Sequence, residues 1–220
     1  MKIKYIAAVL IAIVGVGLQQ AKADTVYSIS VGNAAISGFP GPYATATVHL
    51  VDPTHATITF VSLTNSGNIY LFGDGGSVDV NVNATSWTLS GITGSNAGTG
   101  FTPGPYSDGG SGNIDGFGVL NQTINSFDGF THSSDTISFT LTNTGGTWAS
   151  SATVLKANSN GVFVAAHIFV TAFPANTSNS ALATGFAANG GSFVPDGGTT
   201  VMLLGVALGA VGMARRFIMS

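Results

Sequence analysis

Apolar and polar residues alternate along most of the chain between residues 24 and 193. In 77–83 a valine occupies every second position, and 135–142 repeats the pattern with Ile137, Phe139 and Leu141. This period places apolar side chains on one face of a strand and polar side chains on the other. Segment 161–173 is apolar at nearly every position, which predicts a central strand buried on both faces. The same reasoning predicts strands at 26–31, 45–51, 57–60, 69–72, 85–89, 119–124 and 182–186.

Turn-forming residues separate these segments, and no segment of the body has a helical period. Short strands divided by Gly, Asn, Asp and Pro predict an all-β body, an antiparallel β-sandwich of the jelly-roll type. Residues 91–118 are rich in glycine and do not alternate, so we expect a long loop or an inserted arm there. The body from 24 to 193 is long enough for one such core.

The apolar segment at the N-terminus has the pattern of a signal peptide. Two lysines precede an apolar centre at 5–18, and Ala21 and Ala23 form a small-x-small site. The pattern predicts a signal peptide over 1–23, export by the Sec machinery, and cleavage by signal peptidase before Asp24. A retained anchor is the alternative, although the apolar centre is short for a membrane span.

A second apolar segment, 201–214, contains no charge and precedes Arg215 and Arg216. As a helix it covers about 21 Å, so flanking residues must extend it to span a hydrocarbon core of about 30 Å. The positive-inside rule places the two arginines in the cytoplasm and the body beyond the inner membrane. We therefore expect a single transmembrane helix within 194–220, and one role for such a helix is a permanent anchor.

Val194-Pro195-Asp196-Gly197 precedes the apolar segment and the two arginines. This arrangement resembles the PEP-CTERM class of bacterial sorting signals, and the motif is similar to the variant named for VPDSG, with Gly197 where that name has serine. The resemblance implies that an exosortase, a membrane-embedded cysteine transpeptidase, recognises these four residues and removes the helix. It also implies transient membrane anchoring, followed by release or attachment at the cell surface. More weakly, 138–142 and 163–167 are similar to extracellular domains that precede such tails.

The charges limit the partners of the body. Lys156 is the only base between residues 24 and 193, against eight aspartates, and the chain contains no glutamate or cysteine. One base cannot neutralise a series of phosphates, so we expect no nucleic-acid partner. The absence of cysteine excludes disulfides, thiolate metal sites and a cysteine nucleophile.

No known catalytic motif occurs in the sequence. The nucleophile elbow of serine hydrolases, the P-loop and the dinucleotide fingerprint are all missing. His49 and His167 lie in predicted strands, while His55 and His132 lie in turns or loops, without metal-binding spacing. We interpret His167 as a core residue, and Asp52 beside His55 as a turn.

One segment carries the oxygen ligands that calcium prefers. Asp108, Asn113 and Asp115 supply two carboxylates and an amide oxygen within a glycine-rich loop, with a solvated loop as the alternative. Asp74, Asp79 and Asn81 form a weaker second group. Apart from calcium, the sequence indicates no cofactor.

These features together predict a non-catalytic protein of the cell surface or extracellular matrix, with a structural or adhesive role and exopolysaccharide as a candidate partner. The alternative is a carbohydrate-binding module, whose candidate aromatic platform residues are Tyr43, Tyr70, Tyr106 and Trp148. A secreted hydrolase is the third hypothesis, and it requires converging aspartates and a histidine.

Overall fold

The computed structural model describes residues 23–195 of the 220 in the chain, and only the backbone of residues 191–195. Residues 23–195 belong to one compact unit. Ala21, Asp196, Gly197, Arg215 and Arg216 lie outside the described residues, as do most of the predicted signal peptide and the whole predicted transmembrane helix.

Twelve strands and two short 3-10 helices make up the described structure. The 3-10 helices are Phe130–His132 and Ser151–Thr153. The strands are β1 (Thr25–Gly32), β2 (Ala44–Leu50), β3 (His55–Ser62), β4 (Thr64–Asn65), β5 (Asn68–Phe72), β6 (Asp74–Val80), β7 (Trp87–Ser95), β8 (Ser107–Ile114), β9 (Gly118–Ser126), β10 (Thr136–Asn143), β11 (Val164–Ala172) and β12 (Ala183–Pro195). The predicted all-β class is confirmed.

All twelve strands belong to one antiparallel sheet. The main order is β7-β10-β3-β2-β1-β12-β11-β6-β9-β8, with β5 beside β11 and β4 beside β5. The sheet curls into a nearly closed, barrel-like shape, and the indole Nε1 of Trp87 on β7 donates to Gln122 Oε1 on β9 at 2.9 Å. The antiparallel prediction is confirmed, but the two separate sheets of a sandwich are replaced by one continuous sheet. The reason is that the β1–β12 ladder joins the two halves.

The main core lies on the concave side of the sheet, where the predicted alternation is observed. In β10, Ile137, Phe139 and Leu141 are buried, and the residues between them are partly exposed. Strand β11 is buried on both faces over most of its length, as 161–173 predicts. Burial of each large apolar side chain stabilises the folded state by about 1.5–3 kcal/mol. The largest fully buried aromatic residues are Tyr27, Phe60, Tyr70, Phe72 and Phe139.

The hairpin of β8 and β9 contributes to a second, smaller core. Ile114, Phe117 and Leu120 pack there with Val162, Ala165 and Ala188. The predicted loop over 91–118 is therefore wrong for about half of its length, because β7 continues to Ser95 and β8 is a strand, while 96–106 and 115–117 lie outside the strands.

The glycines that make β8 resemble a loop are required by its close approach to β9. A Cβ at Gly109 would lie 2.2 Å from Thr123 Oγ1, and one at Gly112 would lie 2.7 Å from Thr123 Cγ2. Larger residues at these two positions would push the strands apart. Within residues 23–195, no helix combines the length and the hydropathy needed to cross a bilayer.

Candidate functional site

Strand β12 carries the chain from the body into the C-terminal motif. It pairs with β11 over Ala183–Ala188 and with β1 from Ala187 to Pro195. The last pairs join Val26 to Val194 and Thr25 to Pro195. The first two residues of the motif therefore belong to a hydrogen-bonded strand of the folded body.

The local sequence explains how the strand reaches the motif. Tyr27 pairs with Phe193 and Ile29 with Asn189, so β12 holds two more residues than β1 between these pairs. Gly190 lies within this bulge, and a Cβ there would come within 2.9 Å of Ser30 Oγ. Glycine permits the bulge, and proline at the end of a strand loses no essential ladder hydrogen bond. The bulge thus sets the register at which the motif meets β1.

The start of β1 is attached to the body by side chains. Ser151 Oγ donates to the Ala23 carbonyl at 2.5 Å and shares a 2.8 Å hydrogen bond with Thr25 Oγ1. Asp24 Oδ1 lies 2.6 Å from His49 Nδ1. Ala23 and Asp24, which flank the predicted signal-peptidase bond, therefore lie at the end of the sheet where β12 reaches Pro195.

The structure does not bring the calcium candidates together. Asp108 lies in β8 near its start and Asp115 lies just beyond its end, roughly 20 Å apart at the rise of a strand. Asp108 Oδ1 accepts hydrogen bonds from Gly110 N and Gln122 Nε2, and Asp115 Oδ2 accepts one from Asn33 Nδ2. Asn113 is exposed. No group of three histidine or acidic residues that could hold a metal occurs among the described residues.

Two members of the second predicted group, Asp79 and Asn81, have different surroundings in the structure. The Asp79 side chain is fully buried, and neither of its carboxyl oxygens has a hydrogen-bond partner. Burial raises the pKa of Asp79 well above its ordinary value, which favours the neutral acid. Asn81 Nδ2 instead donates to the Lys156 carbonyl. The alternation in β6 did not reveal this burial, because Asp79 occupies a polar position of the pattern.

The predicted Asp52–His55 turn is confirmed. Asp52 Oδ1 accepts from the Thr54 and His55 amides and from Thr54 Oγ1, and Asp52 Oδ2 lies 2.8 Å from His55 Nδ1. These bonds, led by the one from the Thr54 amide, lower the pKa of Asp52. The Thr54 hydroxyl contacts the same ring nitrogen, whereas a catalytic relay uses both nitrogens of the imidazole.

His167 is largely buried and packs as a core residue. Its ring stacks on Phe186 at 4.4 Å between centroids and on Phe169 at 5.6 Å, and Nε2 lies 2.8 Å from Thr184 Oγ1. Burial is the main cause of a lowered pKa of His167, partly offset by Asp74 and the nearby backbone. His132 Nδ1 donates to the Gly104 carbonyl at 2.6 Å. These contacts give both histidines structural roles.

The predicted aromatic platform is wrong for the residues proposed. Tyr43, Tyr70 and Trp148 are buried, and Tyr106 is partly buried with its hydroxyl 2.5 Å from Ser134 Oγ. Tyr43 and Tyr70 contact each other edge to face at 4.9 Å, and the Trp148 indole donates to the Asn83 carbonyl. A tyrosine or tryptophan in a turn-rich segment serves the core equally well, so the sequence did not distinguish the two roles.

A shallow groove of about 430 Å³ provides an exposed aromatic surface instead. Phe173, which is 74% exposed, lies at this groove together with Asn96 and Asp135. Asp135 accepts hydrogen bonds from Ser95 Oγ and the Ala97 amide, which hold one wall in place. None of these residues was selected as a site from the sequence.

Residues 194–217 match the family model of the VPDSG-CTERM motif. The C-terminal segment is a sorting signal of the PEP-CTERM type. The resemblance inferred from Val194, Pro195, Asp196 and Gly197 is thereby confirmed. The sorting signal implies an exported, cell-surface protein that exosortase-type machinery processes. No curated protein and no solved structure matches the chain.

Proposed function

We propose that the chain is a non-catalytic structural or adhesive component of the cell surface or extracellular matrix. The observation that carries the proposal is the sorting signal at residues 194–217. A signal peptide at 1–23 delivers the body across the inner membrane, and the apolar segment at 201–214 anchors it until an exosortase acts. Exopolysaccharide is the proposed neighbour of the mature protein.

The composition of the body's surface supports a non-catalytic role. Its exposed positions are mostly serine, threonine, asparagine and glycine, and Lys156 is the only base in the described part of the chain. Such a surface is wettable without attracting charged ligands strongly. The Asp52–His55 contact caps a turn, and His167 packs among aromatic rings, so each has a structural explanation. We propose that the body acts without a cofactor, because Asp108 and Asp115 both accept hydrogen bonds within the fold.

The proposal is tested by the mass of the mature chain. In cells that contain the exosortase, we expect a protein that begins at Asp24, has lost the apolar tail and fractionates with the surface or medium. Asp196→Ala should leave the unprocessed chain in the inner membrane, and deletion of the exosortase should do the same. Intact-mass spectrometry of cell fractions measures both ends.

Asp128→Ala is the matched control, because it removes the same charge from an exposed position of the body. It should be processed like the wild type. Full-length wild-type chain accumulating in the inner membrane beside an active exosortase would contradict the proposal.

The groove supports carbohydrate binding as a second candidate function. Phe173 presents an exposed ring beside polar groups, the combination that sugars bind through stacking and hydrogen bonds. Phe173→Ala should weaken binding to the host's exopolysaccharide several fold, a loss of about 1 kcal/mol. Phe127→Ala removes a similarly exposed ring that does not line the groove, and should leave polysaccharide binding unchanged. Equal binding by both variants in a polysaccharide pull-down would remove this candidate.

A further inference from the structure

The sorting motif begins inside the folded body. Residue 194 is the first position of the family match and also a residue of β12, paired with Val26 of β1. Pro195 pairs with Thr25, the first residue of β1. Two of the four recognition residues are therefore held in extended conformation by the strand that opens the predicted mature protein.

Hydrogen bonds to the rest of the body fix the start of β1, so this part of the strand can position a neighbouring strand. Thr25 is buried, and its hydroxyl is bonded to Ser151. On its other side β1 pairs with β2 over Thr25–Ile29, from Thr25 with Val48 to Ile29 with Ala44. The strand opposite Val194 and Pro195 is thus fixed by backbone and side-chain bonds.

The other edge of β12 changes partner just before the motif. Pairing with β11 ends at Ala188, and Asn189 Oδ1 then accepts hydrogen bonds from the amides of Phe163 and Val164. In the described part of the chain, no strand pairs with that edge between Asn189 and Pro195. An extended edge of this kind can receive an additional strand from a binding partner.

We propose that β1 acts as a template that holds Val194 and Pro195 in the extended conformation that the sorting enzyme binds. The enzyme then pairs a strand of its own with the free edge of β12. This inference rests on the proposed function, because it concerns how the same sorting signal is read. The tail is then removed efficiently only from a folded body in which β1 and β12 are paired. Pre-ordered residues bind better because the cost of fixing their backbone is met during folding.

The test separates the motif from its template without changing the motif. A Gly-Ser linker of about six residues, about 20 Å when extended, is inserted between Phe193 and Val194 of the full-length chain. The pairing of β12 with β11 and of Ile29 with Asn189 precedes the insertion, so the body should still fold. Conversion to the mature form is followed by pulse-chase labelling in cells that contain the exosortase. We expect a rate about tenfold lower than that of the wild type.

The control carries the same linker between Gly146 and Thr147, in an exposed turn far from the motif in sequence. It should be processed at the wild-type rate, and thermal melts should show that both variants fold. Unchanged or faster processing with the linker at Val194 would overturn the template, while leaving the proposed function intact. A wild-type chain that is never processed would refute the proposed function itself.

Discussion

At the residue scale, Asp79 is where charge and burial conflict most directly in the described part of the chain. Its carboxyl group is fully buried and has no hydrogen-bond partner. Gly76, at a φ of 64°, turns beside it, and a Cβ there would lie 3.1 Å from Asp79 Oδ1. The pocket accommodates a neutral acid, whereas a carboxylate would lose its hydration without compensation.

Asp79 should therefore make the body less stable as the pH rises. The pKa of Asp79 in the folded chain lies well above its ordinary value of 3.8, so the folded state keeps a proton that the unfolded state releases. The stabilisation that this retained proton provides is complete below about pH 4. It falls by about 1.4 kcal/mol per pH unit until the pH reaches the pKa of Asp79 in the folded chain. Asp79→Asn keeps a neutral group of similar shape, so the melting temperature at pH 7 should rise. Calorimetry between pH 4 and pH 7 measures both effects.

Asp128→Asn is the control, because it makes the same substitution at an exposed position and should leave the melting temperature at pH 7 nearly unchanged. The pKa of His167 is lowered, so the contribution of His167 to the stability of the body decreases as the pH drops. This pH dependence is opposite in sign to that of Asp79. The difference between variant and wild type isolates Asp79. A lower melting temperature for Asp79→Asn at pH 7 would contradict this prediction, because it would mean that the folded body stabilises the ionised carboxylate.

At the element scale, the β8–β9 hairpin is part of the core and not an appendage. Its apolar residues meet Ala165 of β11 and Ala188 of β12 on the convex side of the sheet. Gly109 and Gly112 let β8 approach β9, and the β6–β9 ladder fixes the hairpin to the rest of the sheet. The body therefore has a core on both faces of β11.

Neighbouring residues of β9 test this second core. Leu120 is fully buried in it, so Leu120→Ala should lower the free energy of unfolding by about 2–5 kcal/mol. Val119 points the other way and is 54% exposed, so Val119→Ala should cost no more than about 0.5 kcal/mol. Urea denaturation of both variants gives the two values. Equal, small losses would mean that the hairpin contributes little to the stability of the body.

At the scale of the whole molecule, the two ends of the body lie in the middle of the sheet. Strands β1 and β12 are adjacent, with further strands on both sides. Their pairing closes the longest loop in the body, so we expect it to form late in folding. A sorting motif that is read only when this pair exists would report that the rest of the body has folded. The insertion at Val194 tests this link at the motif itself, because it removes the pairing of Val194 and Pro195 while the rest of the body stays folded.

Local patterns in the sequence determined individual strands, the sorting signal and one turn. Alternation in 135–142 and continuous apolarity in 161–173 correctly predicted β10 and β11, because side-chain period follows directly from strand geometry. The sorting signal was also evident from the sequence, since its recognition depends on a short contiguous motif. The turn at Asp52 was predicted for the same reason, as its bonds join residues close in the chain.

The tertiary structure decided what covers each strand. Alternation shows that Asp79 and Val78 face opposite ways, but only the packing on both faces of β6 shows that both are buried. The glycines of β8 indicate a loop until Thr123 is placed against them, and Tyr70 is suited to a surface until the sheet curls around it. The pairing of Val194 with Val26 likewise depends on residues at opposite ends of the body. Such contacts arise from the path of the whole chain, and no local period records them.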